Sequence, residues 1–394
     1  MGYNSQQNGV YHRNFCQMKE IDILIIGAGI SGAVLAERYA SIGKKVLIVE
    51  KRNHIAGNCY DYIDQNGILV SKYGAHLFHT NDEAVWNYVN RFSEWYTWEH
   101  TVVARVDDKT VPIPVNITTV NELFGINIST EQEMKNWLEE NRTPIEKPAN
   151  GEEAVLNRVG PVLYEKMFKH YTKKQWDKYP AELDASVLER IPVRDNFDNR
   201  YFTDTFQALP KDGYTQLFEN MLQHSNIEIV LDTDYFDIKE KYISYEKLFY
   251  TGPVDRFFEF KHSLTEKLEY RSINFVSETI DTAYFQENSV VNYPGTEVDF
   301  TRIIEYKHFG NQQSDKTTVV REFTVDEGEP YYPVPNQRNQ EIYAKYKIEA
   351  EKLIDIHFVG RLANYKYFNM DQAFKNALDL FEKLNNKPSY KTAG

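Results

Sequence analysis

"EIDILIIGAGISGAVLAERYASIGKKVLIVEKR", residues 20–52, decides the fold. Residues 21–26 are almost wholly apolar over the length of one strand, the pattern of a parallel strand buried on both faces. Gly27, Gly29 and Gly32 then form G-x-G-x-x-G, residues 33–42 read as a helix that stops at Gly43, and Val46–Val49 reads as a second strand ending in Glu50. Each part has a mechanical reason. Gly27 permits a tight turn, Gly29 and Ser31 lie where a pyrophosphate approaches the backbone, and Gly32 lets helix and strand pack closely, with the helix N-terminus facing the phosphates. Glu50, 18 residues beyond Gly32, is placed to accept hydrogen bonds from a ribose and to disfavour a 2′-phosphate. The glycines alone could serve a ligand-free turn. Strand, glycines, helix, strand and acid in register make a dinucleotide site the stronger reading.

At 394 residues the chain is long for one core, so several lobes are expected. Lys plus Arg is 45 against 58 for Asp plus Glu, a net charge of −13, which argues against nucleic-acid and anionic-membrane partners because no positive field would steer them. An anionic ligand would need a local basic cluster within an acidic shell. No run approaches the roughly 18 apolar residues a membrane span requires. The two cysteines, Cys16 and Cys59, have no metal-type spacing and fit a reducing cytoplasm, and His76 with His79 alone do not make a metal site. Residues 1–18 are polar, lack the apolar core of a secretory signal and read as a flexible extension.

The far end supports a flavin over a nicotinamide cofactor. Residues 356–378 read as strand, Gly360, loop and a helix from about Asp371, a unit that can return to the same sheet and aim a helix N-terminus at a flavin ring. No second G-x-G-x-x-G is present to build a separate nicotinamide domain. Between the ends, residues 117–188 look helical, with Val155, Val159, Val162 and Met167 at helical intervals, and Pro180 and Pro192 break a mobile-looking segment at about 177–195. Strand-like alternation follows. The expected fold is α/β: a discontinuous Rossmann-like FAD-binding domain (19–95, 208–257 and 340–388), a helical substrate domain (117–188) and an antiparallel-sheet domain (96–116, 189–207 and 258–339). "HYTKKQW", residues 170–176, reads by itself as a partly exposed helix end with its lysines in solvent.

Seven stretches in order, "IGAGISGAVLAE", "VEKRNHIAGN", "YGAHLFHT", "YTKKQW", "TRIIEYKHF", "PYYPV" and "GRLANYKYFNMD", resemble the bacterial UDP-galactopyranose mutases over residues 22–380. The first is generic to flavoproteins; the later ones are specific. The resemblance implies a flavin-dependent isomerase interconverting UDP-galactopyranose and UDP-galactofuranose without net redox change. Reduced FAD would attack the anomeric carbon through N5 and displace UDP. The resulting flavin–galactose adduct would open, reclose as a five-membered ring and receive UDP again. An external electron donor such as NAD(P)H, a homodimer and a cytoplasmic setting serving cell-surface glycan synthesis are further implications.

The resemblance also nominates residues. Tyr171 would stack on uracil, with Thr172 and Trp176 lining the nucleotide pocket and Met167 standing where an aromatic is common; Lys173 and Lys174 are expected to remain solvated. Arg190 and Arg302 would hold the diphosphate and stabilise its departure, with Arg271 a third candidate, because a guanidinium fork binds phosphate in a bidentate manner. Tyr201, Tyr332, Tyr367 and Asn292 would meet diphosphate and sugar; the tyrosines could equally be core residues and the arginines surface ion pairs. His76 would lie against the flavin ring, with Leu77 beside it, and Lys51, Asn58, Arg361, Phe368, Asn369, Met370, Asp371, Gln372 and Ala373 complete the cofactor set. Asn369 stands where an aspartate is usual. Two rivals share the fold: a flavin amine oxidase or desaturase-like oxidoreductase, and a non-catalytic binding protein resembling the GDP-dissociation inhibitors.

Overall fold

The glycine-bearing run folds as strand Ile23–Ile26, helix Ile30–Ser41 and strand Val46–Val49. The computed structural model describes residues 11–12, 21–239, 244–259, 264 and 266–385. The helix begins at Ile30, ahead of the expected residue 33, because the Gly29 carbonyl already accepts the Ala33 amide at 2.9 Å. Gly27 has φ +104°, and a Cβ there would sit 2.1 Å from Thr251 Oγ1; a Cβ on Gly32 would sit 1.9 Å from the Gly27 carbonyl oxygen. Only glycine fits either position.

These two strands centre a six-stranded parallel sheet in the order Tyr11–His12, Ile227–Val230, Val46–Val49, Ile23–Ile26, Lys247–Tyr250, Ile356–Phe358. The Rossmann-like α/β class is thus present. Val46–Val49 is buried throughout, which explains why it reads as an unbroken apolar run. Helix Ile30–Ser41 packs against Met370–Asn385 and Gly213–Leu222, joining first and last segments in one core around Leu35, Tyr39, Phe218, Phe249 and Phe374. Residues Tyr11–His12 belong to the supposed extension yet pair with Ile229 and Val230, so that part is an edge strand; the rest of 1–18, with Cys16, lies outside the described residues.

Residues 208–210 do not join the parallel sheet. They belong to Phe206–Pro210, the middle strand of a small antiparallel sheet with Phe78–Thr80 and Trp95–Thr97. The larger sheet has seven strands, in the order Tyr332–Pro333, Tyr270–Ile280, Thr317–Val325, Arg302–Glu305, Val290–Asn292, Val102–Val106, Lys109–Ile113. It is mixed rather than antiparallel: Val290–Asn292 runs parallel to Val102–Val106, because the chain returns to this edge only after the whole helical region. Residues 189–207 contribute no strand to it, only the bridges Val115 to Val193 and Thr101 to Arg200.

The helical region comprises Ile117–Phe124, Glu131–Asn141, Gly151–Leu163, a π-helical turn Tyr164–Lys169 and His170–Trp176. Asn116, Thr130 and Asn150 cap the first three through their side chains. Val155 and Val159 are buried, but Val162 is 46% exposed, against the expected register. Gly160, at φ 78° before Pro161, breaks the helix and rotates Leu163 into the core instead. The segment past Asp177 folds as the turn Pro180–Glu182 and the short helix Ala185–Glu189, where Arg158 donates to the carbonyls of Leu188 and Glu189. Among the described residues no helix is long and apolar enough to cross a membrane.

Candidate active site

The carboxyl ends of the parallel strands open into a groove of about 310 Å³. Gly27, Gly29, Ser31, Glu50, Lys51, Asn58, His76, Arg361, Asn369, Met370 and Ala373 line it. Glu50 shapes the glycine loop directly: its two carboxylate oxygens accept the Ala28 and Arg52 amides, each at 2.8 Å. Each oxygen keeps lone-pair capacity for a ribose hydroxyl. A Cβ on Gly29 would meet only the Gly57 Cα, at 3.7 Å, so the backbone here stands open to a ligand. The N-termini of Ile30–Ser41 and Met370–Asn385 both reach the groove, through Ile30, Ser31, Met370 and Ala373. These features suit an extended dinucleotide. Gly32 packs beneath the groove, Leu77 lines the neighbouring cleft, and Phe368, Asp371 and Gln372 line neither cavity. Phe368 instead offers its carbonyl to Arg361 Nη2 at 2.6 Å, Asp371 accepts from Thr80 Oγ1, and the Gln372 side-chain oxygen accepts the Asn369 amide.

A second cavity of about 290 Å³ lies alongside, sharing Asn58, His76, Tyr331, Arg361, Asn369 and Met370 with the groove. Met167, Tyr171, Thr172, Trp176, Arg190, Tyr201, Asn292, Arg302, Tyr332 and Tyr367 all line this cleft. Helical geometry explains one wall. Met167, Tyr171 and Gln175 recur four residues apart, as do Phe168, Thr172 and Trp176, so two parallel rows of side chains face the cavity. Trp176 is buried and stands edge-on to Tyr332 at 5.0 Å, while the Tyr332 hydroxyl donates to the Gln175 carbonyl. The buried Asn292 Oδ1 has no hydrogen-bond partner among the described residues. Arg271 is not in the wall. It is buried on strand Tyr270–Ile280 and paired with Asp326.

Positive charge converges on one phenol. The Arg190 guanidinium lies 4.4 Å from the centre of the Tyr367 ring and that of Arg361 lies 5.0 Å away. Burial alone would raise the Tyr367 pKa, but Arg190, then Arg361 and Arg302, draw it down to about 8. Burial pushes the Tyr171 hydroxyl up to about 12, so that ring meets any ligand neutral. Burial likewise holds His76 down at about 4 and His100 at about 3. His76 Nδ1 lies 2.8 Å from the Gly74 carbonyl. A carbonyl can only accept, so in this neutral imidazole Nδ1 carries the proton and Nε2 is left as an acceptor, on a residue that lines both cavities.

Lys173 and Lys174 behave differently from one another. Lys173 pairs with Asp177 near the surface, in keeping with a solvated charge. Lys174 is not solvated: its ammonium donates to the carbonyls of Tyr293, Val298 and Phe300 and so bolts the helix to the larger sheet. Burial lowers it to about 8, against the pull of Glu297 and Asp299. Gln175, His100, Tyr331 and Glu322 are cleft residues that sequence reading did not nominate. Gln175 had a signal, one helical turn beyond Tyr171; Glu322 meets Arg302 only through strand pairing and had none. Among the described residues no group of three or more His, Cys, Asp or Glu is arranged to hold a metal ion.

Fold and cavities together define a dinucleotide-binding α/β protein with an adjoining cleft of aromatic and cationic side chains. Residues 166–367 match the family model of UDP-galactopyranose mutase, and residues 25–92 match the NAD(P)-binding Rossmann-like domain. A probable UDP-galactopyranose mutase of Klebsiella pneumoniae is 38% identical over 366 residues, covering 92% of this chain and 94% of its own. A dTDP-fucopyranose mutase of Escherichia coli is 37% identical over 366 residues, covering 91% and 96%. The crystal structure of a reduced UDP-galactopyranose mutase shares the fold at a TM-score of 0.73 and 18% identity, covering 93% of this chain and 94% of that one. The chain belongs to the UDP-galactopyranose mutase family, and it is an isomerase.

Proposed function

We propose that the chain interconverts UDP-galactopyranose and UDP-galactofuranose with FAD in the groove and the nucleotide sugar in the cleft. The observation that carries this reading is the set of Arg190, Arg302 and Arg361 around Tyr367, in a protein of net charge −13, beside the aromatic slot at Tyr171. A cleft lined by several cations in an otherwise acidic protein focuses the field that draws in an anion. Tyr171 is the stacking face for uracil, with Met167, Thr172, Gln175 and Trp176 around it. Arg190 and Arg302 take the diphosphate, Tyr201, Tyr332 and Tyr367 complete its surroundings, and Asn292 offers an unpaired carbonyl oxygen to a sugar hydroxyl.

When bound and reduced, the flavin supplies a nucleophilic electron pair for covalent catalysis at the anomeric carbon with no net redox change. The chain's residues do the rest. The arginines offset charge on the departing diphosphate, and their preorganised donors need no rearrangement as that charge develops. His76, which lines both groove and cleft, keeps Nε2 as an acceptor because Nδ1 is committed to the Gly74 carbonyl. Closure of the segment at 177–195, which carries Arg190, would exclude water. An external donor such as NAD(P)H is the proposed source of the electrons.

A sibling reading has its own support: the relative named as a dTDP-fucopyranose mutase is nearly as similar, and Met167 gives the base slot an unbranched, adaptable side chain. Assays of both nucleotide sugars, with and without reductant, test the two together. UDP-galactofuranose should be converted only by reduced enzyme, with many turnovers per electron pair. Full activity with oxidised flavin, or one reductant consumed per turnover, would contradict the mutase chemistry. Conversion of the dTDP sugar alone would leave the chemistry standing and move the substrate.

A further inference from the structure

Glu322 is a carboxylate in a cleft read as an anion site. It lies on strand Thr317–Val325, is 5% exposed, and sits directly across from Arg302 in the ladder. Its Oε2 lies 3.1 Å from Arg302 Nε, and both side chains line the cleft. Its other oxygen occupies the space beside Gly74, in the loop bearing His76, where an added Cβ would be 2.9 Å away. No hydrogen bond reaches either carboxylate oxygen among the described residues, so Arg302 is the charge that offsets it. Burial raises the Glu322 pKa and Arg302 opposes that rise. Conversely, Arg302 donates no hydrogen bond to protein through either Nη among the described residues, which leaves those donors for a ligand.

An acid in this position is costly if the sole task is to bind a diphosphate tightly. Neutral glutamine has the same shape and would leave the full charge of Arg302 to the ligand. A mutase gains nothing from such tightness, because affinity shared by ground and transition states lowers KM without raising kcat, and the nucleotide product must leave. We infer that Glu322 is a counter-ion that tempers the affinity of Arg302 for the diphosphate and so sets the rate at which nucleotide leaves the cleft. This rests on the cleft being the nucleotide site.

The test is binding of UDP and of uridine to wild type, Glu322→Gln and Glu322→Asp by calorimetry, beside steady-state kinetics. Glu322→Gln should bind UDP about tenfold tighter, the effect of removing a like charge a few ångströms from the ligand, with uridine affinity unchanged. KM and kcat should both fall as release slows. Without ligand the variant should melt lower than wild type, because Arg302 has lost its partner, and UDP should raise its melting temperature by more. Glu322→Asp keeps the charge, and its ratio of UDP to uridine affinity should stay within about twofold of wild type. If Glu322→Gln does not fold, Glu322→Asp carries the test: a larger rise in that ratio overturns the proposal. UDP binding that is unchanged or weaker in Glu322→Gln, or a parallel change for uridine, means a purely structural role and also overturns it. Wild-type protein that binds no UDP refutes the nucleotide reading itself, and this inference with it.

Discussion

The groove and the cleft share a wall at Asn58, His76, Arg361 and Met370, yet they are built by opposite means. Much of the groove comes from one run, residues 26–59, whose glycine loop and helix N-terminus present backbone amides to it. The cleft gathers side chains from scattered segments, among them residues 73–79, 167–176, 187–191, 290–294, 301–304 and 331–332. A backbone site holds a ligand nearly independently of side-chain identity, whereas a side-chain site is tuned one residue at a time. Substitutions in the cleft should therefore alter nucleotide binding and turnover while leaving cofactor content alone.

The largest effect is expected at Arg302. Arg302→Ala should lower kcat about a hundred- to a thousandfold, the range for removing one preorganised donor from a developing charge, with flavin retained at the wild-type level. Loss of flavin in step with activity would show the two cavities to be one energetic unit and break the contrast.

Each region also holds a buried neutral histidine: His100 in the cleft, and His54 in the run of chain that supplies much of the groove, stacked on Tyr60 at 3.9 Å. Burial lowers both from 6.5, His54 to about 4 and His100 to about 3. Below pH 6.5 the unfolded chain takes up protons that the folded chain does not, so this stability is complete above 6.5 and is lost as pH falls toward the folded values. By about pH 5 each should have withdrawn about 2 kcal/mol. Urea midpoints at neutral and acid pH test this, and His54→Asn or His100→Asn should flatten the slope. An unchanged slope in both variants would mean that other groups govern acid unfolding.

The same division decided what could be read from the sequence. The glycine loop, its strands and Glu50 were legible because local backbone demands leave local traces: a glycine where a Cβ would collide, an apolar run where both faces are covered. The helix around Tyr171 was legible as a helix, but its inward face was not, since the break at Gly160 and the π-helical turn that follows reset the register. Lys174 reads as a solvent charge in any window of sequence; its three carbonyl partners lie more than a hundred residues away. Glu322 and the parallel pairing of Val290–Asn292 with Val102–Val106 are likewise long-range facts. Site residues in the cleft were nominated by resemblance to a family, and pattern alone would have left Tyr332 and Tyr367 as core tyrosines.

A smaller effect is expected at the stacking face. Tyr171→Ala should weaken UDP binding by about 1–3 kcal/mol, the usual worth of a base on an aromatic ring, with flavin content constant. Equal affinity in both proteins would move the base elsewhere in the cleft.

The finest contrast lies within one helix, between two adjacent lysines. Lys173 and Lys174 have the same charge and neighbouring positions, but Lys173 ends at Asp177 near solvent while Lys174 ends among three carbonyls of the loop after Val290–Asn292. Lys173→Met should therefore change UDP affinity by less than about 0.5 kcal/mol, as exposed ion pairs usually do. Lys174→Met keeps the apolar stem but leaves those carbonyls without a donor, and the helix that carries Tyr171 loses its fixed seat on the sheet. A cost of about 1 kcal/mol in UDP affinity is expected, the net worth of a typical buried hydrogen-bonded contact. Lys174→Arg, which retains the charge and the donors, should recover part of it. Titrating UDP into the two methionine variants side by side checks the claim with protein, helix and net charge matched. If the two lose the same amount, the buried ammonium has no special part in holding the stacking face, and the cleft is less dependent on distant side chains than its construction implies.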